Sequence, residues 1–458
     1  MKKSMLKKIG ILMSAVMCVS LAGGCGKSAG SSESQETGND QETNSSQDAS
    51  SANADAAEND EEGSAPAEGE VTITWLNHYQ EAGKQAWVEK CKEVFEEKYP
   101  NVTLNIETVG ADSYTTILQT KLASDDAPAI FDLASNYDLS VYDEAGHLAD
   151  LTGQPCLERV DSDLLLEGQI DGVQKGIPIE ITGYGVFYNE EVFAENGVEI
   201  PTTLSEMQAV CETLSANGVQ PFAAPFAEQW AFRYYLRAIS DITCLMPDHS
   251  WNESKMDKTS TFSEDEKFQE AVETYFSFHE YWGEDPFGTS WEDAQAMVAN
   301  KEAAMCIHGS WAVDGFLSHN PDCQIGVFPM PVSEDAKDTI MIKEPGQQLV
   351  LYNNGDAAQM EAAYDLYNTI YSEECMSAYA EEAHQMPSVV GSYNMLPALK
   401  TIVEYPADSS FMEAGITRTM TSEYEDILME ILINHSMGES FDMDGFCQEA
   451  DAAFAAVE

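Results

Sequence analysis

Positive charge is scarce in this sequence. Only 22 Lys and Arg face 80 Asp and Glu across 458 residues, giving a formal net charge of −58. A polyanion of this kind is repelled by phosphate backbones, which excludes direct nucleic-acid binding. Acidity fixes no fold, but it favours solubility outside the cell. Long apolar runs are also missing: the stretch from Ile9 to Ala22 is shorter than the roughly 20 residues that a spanning helix needs. The eight histidines are scattered, without HExxH. There is no GxSxG, no Walker loop and no GxGxxG opening a helix. No CxxC or Cys/His cluster has zinc spacing, so neither a metal nor a cofactor is expected. With 80 acids, carboxylate pairs arise by chance, and nothing marks one as a glycosidase pair.

What is present begins with an address. Met1 to Lys8 carries four lysines and no acid, and a short apolar stretch with small residues follows, as in a secretory signal peptide. Leu21-Ala22-Gly23-Gly24-Cys25 looks like a bacterial lipobox, although Ala22 stands where the motif prefers Leu. The expectation is a signal peptide over 1–24 and lipidation of Cys25, against an ordinary signal peptide with a chance cysteine. Residues 27–70 contain no Val, Ile, Leu, Met, Phe, Tyr, Trp or Cys and hold twelve acids. Such a segment cannot offset the entropy of ordering, so 25–70 reads as a lipid-anchored disordered linker. As a flexible coil its span is on the order of 35 Å.

The rest has a core's composition: 43% hydrophobic and 10% aromatic residues, in a length that suits two domains or one large one. Its eight cysteines, dispersed and in part on apolar helical faces (Cys91, Cys211), read mostly as buried free thiols. Val71–Leu76 is a β-branched strand, and Trp87, Val88, Cys91, Val94 and Phe95 line one helix face that Pro100 stops. Val102, Leu104 and Ile106 alternate as a strand, Tyr114 to Leu122 is helical, and Ala129–Ala134 is a short buried strand. Strand–helix–strand–helix–strand calls for a parallel sheet with right-handed crossovers. Ligands of such sheets bind beyond the carboxyl ends of the strands. Those ends carry His78, Tyr79 and Gln80, and Asn136, Tyr137 and Asp138. Further on, Pro178–Asn189 reads as a strand broken by Gly183 and Gly185. Thr203–Glu206 and Ser263–Glu266 read as capping boxes. From Ala357 the pattern is almost wholly helical, with one stripe at Ala363, Leu366, Tyr367 and Ile370.

The order of these pieces resembles the extracellular solute-binding proteins of carbohydrate ABC importers, the maltose-binding-protein-like family. The resemblance covers 71–458. It rests on ITWLN and WVEKCKEVFEEKYPNV near the start, YDEAGHLADLT at 142–152 and GIPIEITGYGVFYNEEVF at 176–193. GVEIPTTLSEM at 197–207, ANKEAAMCIHGSW at 299–311 and IGVFPMP at 325–331 extend it, with a late helical segment ending near Met386-Pro387. It implies a two-lobe α/β, periplasmic-binding-protein-like fold with a ligand cleft and three hinge crossings near Pro178–Thr182, Ile307–Gly309 and Leu351–Asn353. Lobe one is then 71–180 plus 309–352, and lobe two 181–308 plus 353–458. The sequence departs from the family at Lys343–Gln347, where relatives carry a glycine-rich run; Gly346 and Gln347 are the candidate contacts there.

The resemblance also implies a function: a non-enzymatic lipoprotein that captures a sugar or oligosaccharide and delivers it to ABC permeases. It would act as a monomer at the outer face of the cytoplasmic membrane. A polyamine receptor of the same fold and a secreted glycoside hydrolase are the alternatives. Sugar sites combine aromatic platforms with amides and carboxylates. Trp311, after a strand and a Gly-Ser step, matches a position that stacks on sugar, with core packing as the other reading. Trp230, beside Glu228 and Gln229, matches a second cleft position. Thr182 and Tyr184 sit by the first crossing, and Tyr424 lies on a late helix that packs beside the cleft. Trp75 and Trp87 belong to core stripes.

Overall fold

A computed structural model describes residues 70–79, 81–124, 126–133, 136–413, 420–437 and 441–457, less a few side chains within them. The stretch read as a signal peptide, Cys25 and nearly all of the stretch read as a linker lie outside them. In chain order the strands are β1 (Val71–Asn77), β2 (Val102–Thr108), β3 (Ile130–Leu133), β4 (Gln169–Ile170), β5 (Val173–Gln174), β6 (Gly176–Pro178) and β7 (Glu180–Asn189). Then come β8 (Gln220–Phe222), β9 (Ala303–Gly309), β10 (Ile325–Phe328), β11 (Met341–Pro345), β12 (Gln348–Leu351), β13 (Met386–Pro387) and β14 (Ser410–Met412).

The opening strand–helix–strand pattern builds the first sheet, in the order β2-β1-β3-β12-β6. β1 runs parallel to β2 and β3, as the crossover rule requires. Helix Ala82–Lys98 buries Trp87, Val88, Cys91 and Phe95 on it. Trp75 and Trp87 are fully buried and meet edge to face at 5.5 Å. β7 organises the second sheet, β14-β11-β7-β9-β8, and also pairs with β10 and β13. Nine of its ten residues are buried. Gly185 admits β10 at close range, since a Cβ there would lie 2.6 Å from the Phe328 carbonyl oxygen.

The crossings differ from expectation at two points. The first, at Ile179 between β6 and β7, is where the sequence places it. The second is Gly346-Gln347 between β11 and β12, not Ile307–Gly309: β9 stays in the second sheet, paired with Tyr184–Tyr188 of β7. The third runs through β13, not Leu351–Asn353. β12 instead leads to helices Ala357–Ile370 and Glu373–Glu381, whose Leu366, Tyr367, Ile370 and Tyr379 share the first core with Trp75 and Trp87. The Tyr371 hydroxyl donates to the Ile177 carbonyl at 2.7 Å and fixes that docking. Within 309–352, therefore, β10 and β11 pair with β7 and only β12 joins the first sheet. A helical stripe shows that a face is buried, not which sheet buries it.

Glu180 lies where all three crossings meet. Its carbonyl accepts from Gly346 N–H at 2.8 Å, and its backbone pairs with Pro387 of β13. Its buried carboxylate accepts from Tyr379 Oη at 2.7 Å and lies 3.8 Å from Lys84 Nζ. Gly346 is a close-approach glycine, because a Cβ would sit 2.3 Å from Glu180 Cγ. Gly83 has the same character: a Cβ there would lie 2.3 Å from the Glu382 carbonyl oxygen and 3.0 Å from Ala383 Cα. Helix propensity alone would make Gly83→Ala stabilising by about 1 kcal/mol. The backbone clash reverses the sign, and the expected cost is about 1–3 kcal/mol in urea unfolding. A gain in stability would show that helix Ala82–Lys98 does not pack this tightly on 382–383.

Candidate functional site

Beyond the carboxyl ends of β1 and β3 the chain assembles a polar rim. Asn77 Oδ1 accepts from Thr108 Oγ1 at 3.0 Å and from Tyr79 N–H at 3.2 Å, which sets the turn after β1. That turn brings His78 Nδ1 to 2.7 Å from Oδ2 of Asp132, a buried residue of β3. His78 Nε2 lies 2.8 Å from Gln347 Nε2, so the imidazole joins the first sheet to the second crossing. Tyr114 clamps Asp132 by donating to its carbonyl at 2.9 Å and accepting from its N–H at 3.0 Å. Burial alone would pull the His78 pKa down. The charge and hydrogen bonding of Asp132 overcome this, and it is raised from the ordinary histidine value. Among the described residues, Asn77 Nδ2, Asp132 Oδ1, Gln347 Oε1 and Gln348 Oε1 are buried without hydrogen-bond partners, an unusual density of unsatisfied groups for one rim.

The second sheet contributes two clusters that share Tyr234. One is aromatic. Trp291 stacks on His308 of β9 at 3.8 Å, and Trp230 meets Trp291 at 5.6 Å and His308 at 5.3 Å. Trp311 stands edge-on to Tyr234 at 5.1 Å and to His308 at 5.4 Å. Trp311 is half-buried and Trp230 is 41% exposed, so both keep ring surface at the edge of the core. The ring of Trp311 lies over Gly309, where a Cβ would come within 2.2 Å of it. His308 is wholly buried, and its pKa is well below the ordinary value, first through burial and then through the charge of Arg233.

The other cluster is ionic. Arg237 donates from Nε to Asp241 at 3.1 Å, and from Nη2 to Glu344 at 3.2 Å and Glu413 at 2.9 Å. The Tyr184 hydroxyl joins both Asp241 and Glu413, and Thr182 Oγ1 donates to Glu344 Oε1 at 3.3 Å. Burial, with the neighbouring Asp241 carboxylate, pushes the Glu413 carboxyl well up against the pull of Arg237. Glu344 lies next to the end of β11, and Gln347 follows three residues on, so the ionic cluster and the His78 rim lie within about 10 Å along the chain.

Of the residues expected in the site, His78, Gln347, Thr182 and Tyr184 lie by the second crossing, while Trp230 and Trp311 pack on His308 and connect to the ionic cluster through Tyr234. Glu228 accepts the Trp291 N–H at 2.8 Å and ties together the helix starts that carry Trp230 and Trp291. Gln229 donates to the Asp426 carbonyl at 2.9 Å, a tie to helix Ser422–Ser436. Two expected contacts are core residues. Tyr79 is 2% exposed and packs on Trp87 at 6.0 Å. Tyr424, 8% exposed, donates to the Met256 carbonyl at 3.2 Å and packs on Phe454. Asp138 is half-buried in the first turn of helix Asn136–Glu144. Gln80 and the side chains of Asn136 and Tyr137 lie outside the described residues. The sequence reading missed Asp132, Tyr234, Arg237, Asp241, His308, Glu344 and Glu413. One signal was available: the chain has four arginines, and Arg233 and Arg237 fall one turn apart in a tyrosine-bearing apolar helix.

Two sheets, each with its own core, joined by three crossings define a two-lobe binding-protein architecture. Residues 78–375 match the bacterial extracellular solute-binding protein family, and the chain belongs to it. It is 26% identical over 282 residues to a multiple sugar-binding protein of Streptococcus mutans, covering 60% of this chain and 65% of that one. It is 25% identical over 273 residues to an uncharacterized ABC transporter extracellular-binding protein of Pyrococcus horikoshii, covering 56% and 60%. The alignments thus span less than two thirds of these relatives. Among solved structures, the chitin oligosaccharide binding protein superposes with a TM-score of 0.72 at 19% identity, covering 84% of this chain and 98% of that one. The solute-binding protein RafE in complex with raffinose gives 0.70 at 18%, with the same coverage. At these identities the structures speak for the fold. The family is one of binding proteins rather than enzymes, and its extracellular character places the chain at the cell surface or in a periplasm.

The His78–Asp132 pair has a pH signature. A raised folded-state pKa stabilises the protein fully below the unfolded imidazole value, and this stabilisation is lost as pH rises through the folded value. Asp132→Asn should lower the His78 pKa in an NMR titration of the imidazole protons and flatten that part of the stability profile. An unchanged titration would remove Asp132 as the cause.

Proposed function

We propose that this chain is the receptor of an ABC importer, capturing a sugar or oligosaccharide between its lobes and handing it to membrane permeases. The observation that carries this reading is that the partly exposed rings of Trp230 and Trp311, both packed on His308, connect through Tyr234 to the hydrogen-bonding cluster of Arg237. Pyranose rings offer apolar faces to aromatic rings and a belt of hydroxyls to carboxylates, amides and guanidinium groups. In this reading Trp311 and Trp230 take the sugar faces. Arg237, Glu344 and Thr182 take hydroxyls from one side, and His78, Asp132 and Gln347 take them from the other. A ligand touching both sides favours the closed arrangement by its differential affinity for it. The printed ligands of the relatives, multiple sugars, raffinose and chitin oligosaccharides, support the same class.

A second reading rests on one specific feature: three carboxylates, Asp241, Glu344 and Glu413, surround the single Arg237 beside Tyr184 and Tyr234. An excess of negative charge with aromatic walls also suits a cationic ligand such as a polyamine. Calorimetry against oligosaccharides and polyamines separates the two. Heat from polyamines alone would overturn the sugar reading.

Trp311→Ala should weaken binding of the best sugar by about 2–4 kcal/mol, or roughly 30- to 1000-fold in Kd. Unfolding without ligand should show less than the about 3–5 kcal/mol typical of a truncated core Trp. Unchanged affinity with a large stability loss would make Trp311 a core residue. The lipobox-like run supports a Cys25 anchor with the acidic linker as tether, and the receptor works as a monomer. Cys25→Ala should move the protein from the membrane fraction to the medium. Retention after a carbonate wash would rule the anchor out.

A further inference from the structure

All eight body cysteines are buried thiols, and several meet other groups. Cys306 meets the Tyr235 hydroxyl, Cys323 the Phe316 carbonyl and Cys447 the Met443 sulfur. Cys91 and Cys375 stand apart from these because each faces the other. They come from helices Ala82–Lys98 and Glu373–Glu381, far apart in sequence but packed together in the first core, and neither has any exposed surface. Two contacts set the register of those helices. Trp87, one turn before Cys91 on the same face, donates from Nε1 to the carbonyl oxygen of Cys375 at 3.0 Å. Lys90 and Glu374, the immediate neighbours of the two cysteines, pair at 2.8 Å. Together they bring the two buried cysteines onto the facing sides of the packed helices.

We propose that Cys91 and Cys375 are a disulfide site, closed when the exported chain folds in an oxidising compartment. Such compartments are where disulfides form and persist, and the family's extracellular placement supplies one. The step is thiol–disulfide exchange with an oxidised protein disulfide or oxidised glutathione. Each cysteine gives up its S–H proton and the pair gives up two electrons. One Sγ–Sγ bond forms, and the oxidant's S–S bond is reduced to two thiols. Burial and the Cys375 hydrogen bond hold the Cys91 thiol up. In the docked state the hydrogen bond from Cys91, opposed by burial and aided by Ser372, lowers Cys375. Full burial in the finished fold means that exchange precedes final docking of helix Glu373–Glu381. The bond would tie the opening segment of the first lobe to the segment that returns after the second crossing. Closing so long a loop restrains the unfolded chain strongly.

The test is thiol mapping of the exported mature chain, purified without reductant and unfolded in urea with excess N-ethylmaleimide. The expected result is a single linked species joining the Cys91 and Cys375 peptides, with the other six body cysteines alkylated and all eight alkylated after reduction. Alkylation of all eight before reduction, or a linkage of either cysteine to a different one, overturns the proposal. Protein refolded with oxidised glutathione should melt about 5 °C above protein refolded with reductant. The Cys91→Ala/Cys375→Ala variant should lose that difference. Equal melting of the two wild-type samples also overturns the proposal, and neither wild-type measurement depends on the variant folding or on the ligand's identity.

Discussion

A buried carboxylate at the junction of the two sheets is the constraint on which the rest of this architecture hangs. Glu180 is 4% exposed, opens β7, accepts the Gly346 amide of the second crossing and pairs with Pro387 of the third. Its side chain reaches back into the first lobe, to Tyr379 and Lys84. Desolvation offsets most of the Coulomb gain of such a pair, so it adds little net stability, whereas removing one partner strands a buried charge. What it fixes is geometry: three separate chain passages are held around one side chain. Gly346 is a glycine because Glu180 leaves no room for a Cβ.

The site inherits its position from that junction. From Glu180 the alternation of β7 puts Thr182 and Tyr184 on the same face, toward Glu344 of β11 and the helix that carries Arg237. Two residues beyond Pro345, Gln347 turns to His78 of the first lobe. The second crossing therefore carries the ionic cluster at one end and the histidine rim at the other. Any change in lobe angle at Gly346-Gln347 would move these groups relative to each other. The aromatic shelf of Trp230, Trp291 and Trp311 is set by a different device, the close packing of rings on His308 and the bare backbone of Gly309.

The charge economy is local as well as global. A chain at −58 places one of its few arginines among three carboxylates and two tyrosines, where burial strengthens every interaction. Burial, with the Asp241 carboxylate beside it, drives the Glu413 carboxyl up against the pull of Arg237. The surface acids remain in solvent and keep the protein soluble.

Local pattern determined much of this protein. The β-branched run of β1, the alternation of β2, the Trp87–Phe95 stripe and the Thr203 cap on Glu206 are set by neighbours a few residues away, and each stands where the sequence puts it, whereas β7 runs unbroken through Gly183 and Gly185. The order of motifs was enough for the family. Tertiary structure alone decided the rest. Whether helix Ala357–Ile370 serves the first lobe or the second depends on a hydrogen bond from Tyr371 to Ile177, nearly 200 residues away along the chain. Tyr79 and Tyr424 read as site residues because tyrosine is equally at home in a core and in a cleft, and only packing tells which. Arg237 gathers Asp241, Glu344 and Glu413 from a helix, a strand end and the residue after a strand. Asp241 lies one helical turn from Arg237, but no spacing rule links Glu344 and Glu413 to them, because what brings those two in is the pairing of β7, β11 and β14 in one sheet.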